Sequence, residues 1–468
     1  MAKTDAIHCY IPNSVPDVKR QMMKEIGITS IEELYVDVPR KFRLRTKLNL
    51  PAPASELEVK KHVEELLAKN KISRDMSVFF GAGCWPHYVP AVVDAVVQRA
   101  EFLTSYTPYQ PEISQGILQS LFEYQSMICE LTAMEVANSS MYDWASALGE
   151  AARMAARLTQ RTEILIPRIV HSERLATLRT YADPAGLTIA PVGYDSDTGH
   201  LDIEDFKRKI SRRTAAVYIE NPSYLGFVET KAKEVAEETH DHKAMFIAGV
   251  DPISLGILKP PGEYGADIVV GEGQPLGSHM NYGGPLLGIF ACRDDRQLIR
   301  QMPGRMIGMT TTLENNKTGF CMALQAREQH IRREKATSNI CTNEALCALS
   351  SAVYLALLGP RGLKELGEII VLKTSYTMKL LEKIESVRVP LFKSPHFKEF
   401  TVNFDAAEMT MQEIHEKMLR HGVQGGKHLN SEFPELGKTA LYCVTETHSR
   451  AEIDSLAQTL NNVLQERS

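Results

Sequence analysis

Between about residue 130 and residue 295 the sequence switches repeatedly from a short, unbroken apolar run to a stretch of helical spacing and back. The runs read as strands at Glu163–Ile166, Leu187–Val192, Ala215–Ile219, Met245–Val250, Ile268–Val270 and Leu286–Ala291. Helical patterns fill most intervals, at Tyr142–Leu158, His171–Tyr181, Ile203–Ile210 and Ala232–Thr239. A strand that is apolar at every position is buried on both faces, and helices between such strands are the crossovers that cover them. The expected fold class is α/β, with a mostly parallel sheet in a large domain.

The flanks read differently. Residues 1–60 suggest an N-terminal helical arm. Ser30 with Glu33, and Ser55 with Glu58, have capping-box spacing, and the second box opens onto Leu57, Val63, Leu66 and Leu67. Prolines at 39, 51 and 53 separate the short helices. Such an arm has little core of its own, so it must pack on the body or on a partner. Residues 61–343 make the large α/β domain. Residues 344–468 read as linking helices, broken at Gly359-Pro360, and a small C-terminal α+β domain. There, strand Phe400–Phe404 precedes a helix boxed by Thr410 and Glu413, and strand Leu441–Thr445 precedes one boxed by Ser449 and Glu452.

Composition excludes several classes. With 44% hydrophobic and 24% charged residues over 468 positions, the chain is globular and not disordered. Its net charge of −5 argues against a nucleic-acid or membrane-surface binder. No apolar run approaches the roughly 18–20 residues of a membrane span, and the N-terminus lacks a secretory pattern. The eight cysteines (Cys9, Cys84, Cys129, Cys292, Cys321, Cys341, Cys347 and Cys443) form no C-x-x-C pair and no zinc spacing. Those in apolar stretches, such as Cys129, Cys292 and Cys443, read as small core hydrophobes. No metal site is expected, and the location is expected to be cytoplasmic.

An arm, a large α/β domain and a small α+β domain together resemble the fold type I pyridoxal-phosphate enzymes. That resemblance implies an anion site at a helix N-terminus, a carboxylate at a strand end for the pyridine nitrogen, and a Schiff-base lysine after the next strand. Asp251, after the apolar run 244–250, suits the carboxylate, and Asp251-Pro252 equally suits a plain turn. The lysine is missing. Gly271-Glu272-Gly273-Gln274-Pro275-Leu276-Gly277-Ser278-His279 follows the strand, and no lysine occurs between Lys259 and Lys317. The phosphate loop is eroded as well, since the run from Val136 to Ala145 has no glycine-rich turn. Ser139 and Ser140 could meet an anion, but Asp143 and Trp144 add charge and bulk there. Helix capping by a serine or the aspartate is the favoured role.

Longer motifs are more specific. Tyr106-Thr107-Pro108-Tyr109-Gln110-Pro111-Glu112-Ile113-Ser114-Gln115-Gly116, Ser278-His279-Met280-Asn281-Tyr282-Gly283-Gly284-Pro285, Met302-Pro303-Gly304-Arg305-Met306-Ile307-Gly308 and the run Leu324–Thr342 closely resemble the glycine cleavage system P-protein family (glycine dehydrogenase, decarboxylating). They look like its alpha subunit (subunit 1), the form that matches the N-terminal half of the fused enzyme. The resemblance implies that the lysine and pyridoxal phosphate belong to a beta subunit, in an α2β2 heterotetramer. It implies an enzyme, glycine dehydrogenase (aminomethyl-transferring), that is active only as that complex. Glycine would be decarboxylated and its aminomethyl group passed to the lipoyl arm of H-protein, releasing CO2.

Candidate contributors to a shared site are His87, Tyr106, Tyr109, Glu112, Arg327 and His330, with Asp251 as a vestigial cofactor contact. The tyrosines and Glu112 offer hydrogen bonds on a loop without core patterning, which suits a pocket lining or a packing loop between subunits. His87 suits an acid or base, or a satisfied structural residue. The basic run Arg327, His330, Arg332, Arg333 and Lys335 suits a solvated helix face paired to Glu328 and Glu334, a subunit contact, or a receptor for a carboxylate or an acidic H-protein surface. Arg305 shares that ambiguity. The alternative function is an autonomous PLP-dependent decarboxylase or aminotransferase with an unconventional lysine.

Overall fold

The computed structural model describes residues 10–44, 46, 48–103, 105–281, 284–313 and 316–466. Cys9, Tyr282 and Gly283, named above, lie outside them. The chain divides into two units, residues 1–70 and 71–468.

The first unit carries helices α1 (Pro16–Ile26) and α2 (Glu56–Leu67). The two boxes foreseen at Ser30/Glu33 and Ser55/Glu58 both close: each serine accepts a bond from its turn, and each glutamate takes the serine backbone N–H. No described residue of this unit is buried.

In the second unit, helix α3 (Gln115–Thr132) leads into β1 (Val136–Ala137) and α4 (Trp144–Thr159). Then come β2 (Glu163–Pro167), α5 (Ser172–Ala182), β3 (Thr188–Val192), α6 (Ile203–Lys209), β4 (Thr214–Glu220), α7 (Ala232–Asp241), β5 (Met245–Val250), β6 (Ile268–Glu272) and β7 (Gly288–Cys292). Their sheet is seven-stranded, in the order β1-β7-β6-β5-β4-β2-β3. β3, β2, β4, β5 and β6 pair in parallel, while β7 runs antiparallel to β6 and β1. Two apolar clusters flank the sheet. One includes Leu118, Leu121 and Ile128 of α3, and the other is built on Trp144, Leu148 and Ala152 of α4. This is the double-faced burial that the unbroken apolar runs require.

Sequence patterning missed an antiparallel hairpin, β8 (Met306–Thr311) with β9 (Thr318–Ala323). Helix α8 (Ala345–Leu381) follows, kinked at Gly359, whose φ of 59° and ψ of −179° are not helical. Over an 18-residue window α8 is long and apolar enough to cross a membrane, contrary to the residue-by-residue reading. The difference arises because Ser350, Ser351 and Tyr354 interrupt the apolar run without lowering its average far. Those residues are buried beside Ala348, Leu349 and Ala352, as in a core helix. The C-terminal part holds β10 (Glu399–Asn403), α9 (Met411–Arg420), β11 (Lys427–His428), β12 (Thr439–Cys443) and α10 (Arg450–Gln465). Its antiparallel sheet has the order β10-β12-β11 and a core of its own around Phe400, Val402 and Leu456.

Candidate functional site

β5 ends at Val250, which puts Asp251 at the carboxyl edge of the sheet, where α/β folds gather their ligands. Its Oδ1 accepts from Ile253 N (3.1 Å) and caps the turn Pro252–Gly256, so the turn reading holds. Its Oδ2 lies 2.7 Å from Lys398 Nζ, an ammonium just ahead of β10. Lys398 also donates to His87 Nε2 (2.9 Å), and its Nζ stands 3.9 Å from the centre of the Trp85 ring. His87 Nδ1 donates to Glu446 Oε2 (2.9 Å), whose other oxygen accepts from Tyr88 N (2.7 Å). These two bonds require a neutral imidazole protonated on Nδ1. Burial first, then the Lys398 ammonium, holds the His87 pKa below its ordinary value. Next along the chain, burial pushes the Glu399 carboxyl up to about 7.

Beside this network the Arg174 guanidinium pairs with Glu220 and lies 3.8 Å over the Trp144 ring. Tyr218 Oη donates to the same carboxylate (2.9 Å). The cavity left among Trp85, Trp144, Arg174, Asp251 and Lys398 measures about 20 Å³, room for a water or so.

At the start of α4 most groups are also paired, and Ser140 is the exception, its Oγ buried without a hydrogen-bond partner. Asp143, not a serine, is the cap: its carboxylate accepts from Ser146 N (2.7 Å), and Ser146 Oγ bonds back to Asp143 N. Trp144 N donates to Glu272 Oε2 (3.3 Å), while Glu272 Oε1 accepts from Gln274 N and Leu287 N. Burial pushes the Glu272 carboxyl up to about 8. Ser139 is spent on the Arg305 carbonyl, through both its N (2.8 Å) and its Oγ (3.1 Å).

A second cluster is partly open to solvent, with Tyr109 and His330 exposed and Arg305 buried behind them. Tyr109 meets His330 edge-to-face with ring centres 5.5 Å apart, and the Arg305 guanidinium is 5.7 Å from the Tyr109 ring. Arg305 also pairs with Glu328 (3.8 Å), which lies 3.7 Å from His330. Arg327 donates to the carbonyls of Met302 and Gly304 and so holds the 302–305 turn. Tyr106 (78% exposed) and Glu112 stay on the surface of the same loop. The basic run does not form a continuous solvated helix. It breaks into Gln325–Arg327, Gln329–Arg332 and Arg333–Lys335, because Glu328 is extended (φ −82°, ψ 161°), Arg333 takes positive φ and Arg327 turns inward.

The structure thus brings Tyr109, Arg327 and His330 together and puts His87 and Asp251 in a different, closed network. Sequence reasoning missed Lys398, Glu446, Arg174, Glu220 and Glu272. The one available signal was Phe397-Lys398-Glu399-Phe400, a charged pair inside an aromatic strand start, which calls for buried counter-charges. Among the described residues no group of three or more His, Cys, Asp or Glu could hold a metal.

Comparison with known proteins fits this architecture. Residues 8–460 match the family described as glycine cleavage system P-protein. The chain is 49% identical over 466 residues to the probable glycine dehydrogenase (decarboxylating) subunit 1 of Staphylothermus marinus, covering 98% of this chain and 99% of that one. It belongs to the P-protein family. A crystal structure of glycine decarboxylase (P-protein) in inhibitor-bound form superposes with a TM-score of 0.85 at 39% identity, over 96% of this chain and 98% of that one. Sphingosine-1-phosphate lyase of Burkholderia pseudomallei shares the fold alone, at 14% identity and a TM-score of 0.65 over 90% of this chain and 92% of that one. The fold is the PLP-dependent type I architecture, and pyridoxal phosphate belongs to this family's chemistry.

The residues of this particular P-protein chain do not fit that cofactor. No lysine lies between β6 and β7, Asp251 is already paired with an internal ammonium, and the remaining volume is far below that of a ligand pocket.

Proposed function

We propose that this chain is the cofactor-free subunit of a glycine dehydrogenase (decarboxylating), working with a second subunit that carries the lysine and pyridoxal phosphate. The observation that supports this most directly is the closed network at Asp251, where Lys398, Trp85 and Trp144 fill the space a cofactor would need. In this reading the pair forms an α2β2 assembly in the cytoplasm. Glycine loses CO2 there, and its aminomethyl group passes to the lipoyl arm of H-protein.

The open cluster is the part of this chain suited to the shared site. Tyr106, Tyr109, Glu112 and His330 offer donors and acceptors at an exposed edge, and Arg327 and Arg305 fix the turn behind them. On the same loop, the β8–β9 hairpin and the segment after it, Ile113, Met309, Leu313, Leu324 and Ile331 are exposed apolar side chains of the kind an obligate partner covers. His87 and Asp251 act internally in this reading, as positioning residues.

One observation favours the alternative of an autonomous enzyme: Lys398 is a buried lysine beside Asp251. Its nitrogen already serves Asp251 and His87, and the cavity cannot take a ring and a phosphate. Borohydride reduction of the complex co-expressed with its second subunit, followed by peptide mapping, separates the two. Phosphopyridoxyl-lysine is expected on the second subunit alone. A stoichiometric adduct on Lys398 would overturn the proposal.

A further inference from the structure

Lys398 is 2% exposed, and its ammonium is held by groups from separate stretches of chain: Asp251 after β5, and His87 and Trp85 from the segment ahead of residue 91. Each of these groups is itself fixed. Asp251 is tied to its turn through Oδ1, and His87 through Nδ1 to Glu446. The Trp85 backbone N–H donates to Gln274 Oε1 (3.2 Å), so the loop that lacks the fold's lysine now anchors the main chain that carries the indole. The strand that delivers Lys398 sits directly on the turn at Gly226. There Phe397 N donates to Gly226 O (3.1 Å), and a Cβ on Gly226 (φ 89°) would meet the Glu399 carbonyl at 1.8 Å. Carboxylate, imidazole acceptor and indole face together make an organic-cation seat, with charge, hydrogen bond and cation–π contact all directed at one nitrogen.

We propose that Lys398 is a ligand built into the chain, its ammonium filling an organic-cation seat formed by Asp251, His87 and Trp85. Asp251 is the carboxylate that this fold offers to a protonated ring nitrogen, and Lys398 supplies that cation from within. The seat therefore stays closed to any free ligand and joins β5, the 85–88 segment and the C-terminal sheet. This assignment rests on the geometry of the one chain and stands apart from the choice of partner.

Lys398→Ala in the full-length chain removes three methylenes and the ammonium, the atoms of n-propylammonium. The thermal midpoint is expected to fall, to rise again on titration with n-propylammonium, and to respond less to 1-propanol, which has the same length without the charge. The rescue should disappear in Lys398→Ala/Asp251→Asn. A wild-type midpoint for Lys398→Ala, equal responses to the two additives, or rescue that persists without the Asp251 carboxylate would each overturn the proposal. Should Lys398→Ala be insoluble, refolding in the two additives makes the same comparison. Soluble recovery with the cation alone supports the seat, and equal or absent recovery overturns it.

Discussion

The side chain of Gln115 brackets the backbone of Phe320: Oε1 accepts from Phe320 N (2.9 Å) and Nε2 donates to Phe320 O (2.9 Å). The same Nε2 reaches Pro111 O (2.6 Å), and the rings of Phe122 and Phe320 lie 5.4 Å apart. One amide thus fastens the tyrosine loop to strand β9. Gln115→Ala should cost only about 1–2 kcal/mol of stability, as for exposed hydrogen bonds. Glycine-dependent CO2 release by the assembled complex should fall about tenfold to a hundredfold, because small misplacements of a positioning loop are that costly. Full turnover with a freed loop would show that the loop does not serve the shared site.

Burial decides what an ion pair is worth here. Arg174 and Glu220 pair with side chains 6% and 1% exposed, whereas Arg361 and Glu365 pair at 2.8 Å with Arg361 92% exposed. Glu220→Gln leaves a buried guanidinium without its counter-charge and is expected to cost about 3–5 kcal/mol. Glu365→Gln should cost less than about 1 kcal/mol. Chemical denaturation of both variants checks the contrast, and similar losses would mean that Arg174 finds another partner.

Elements that depend on local chemistry were readable in the sequence. The parallel strands announced themselves as unbroken apolar runs, and the boxes at Ser30, Ser55, Thr410 and Ser449 all form. The missing lysine was equally plain. The contents of the closed network were not, because Asp251, Lys398, His87 and Glu446 are far apart in the chain and meet only when the sheet and the C-terminal part come together. Local spacing carries no trace of such a contact. The hairpin β8–β9 escaped for a different reason: Gly308 and Gly319 and the partly exposed faces of both strands blur the period-two pattern.

Glu272 sets a slope on the alkaline side. Its folded pKa of about 8 stands above the ordinary glutamate value of 4.5, so the folded state holds a proton that the unfolded chain has released between those values. Stability therefore falls as pH rises from about 4.5 to about 8. Glu272→Gln cannot ionise and keeps an oxygen for the Gln274 and Leu287 N–H groups, giving up only the long Trp144 N–H bond to the other oxygen. It should flatten that slope and exceed the wild type at pH 8 by on the order of a few kcal/mol. Denaturant titrations at pH 5, 6.5 and 8 give the comparison, and parallel curves would refute it.

His171 acts in the opposite direction. Burial, then the Arg174 charge, lowers its pKa from 6.5 to about 3. Its Nδ1 accepts from Glu173 N at the start of α5, and its Nε2 bonds Ala82 O (3.0 Å), an arrangement only the neutral ring can make. The stability it contributes is complete above pH 6.5 and is lost as pH falls from there towards 3. His171→Asn retains a capping acceptor and cannot titrate. Its stability should start lower at pH 7 and decline less on acidification, as followed by thermal midpoints from pH 7 to pH 4.

The arm offers the last test. Val18, Met22 and Ile26 recur at helical spacing on α1, as do Val59, Val63 and Leu67 on α2, and all are exposed. Covering each such side chain is worth about 1.5–3 kcal/mol before ordering costs, so these two helix faces can contribute a large stabilisation to an assembly that covers them. Residues 71–468 contain the hydrophobic clusters on both sheet faces and the C-terminal core. A chain starting at Lys71 is therefore expected to keep its far-ultraviolet circular dichroism per residue of folded body and a single cooperative melt. It should lose most of its affinity for the second subunit in sedimentation or pull-down with the full-length chain as reference. Undiminished assembly would assign partner binding to the Tyr106–Ile331 face instead, and a truncated chain that fails to melt cooperatively would show that the arm completes the body's own core.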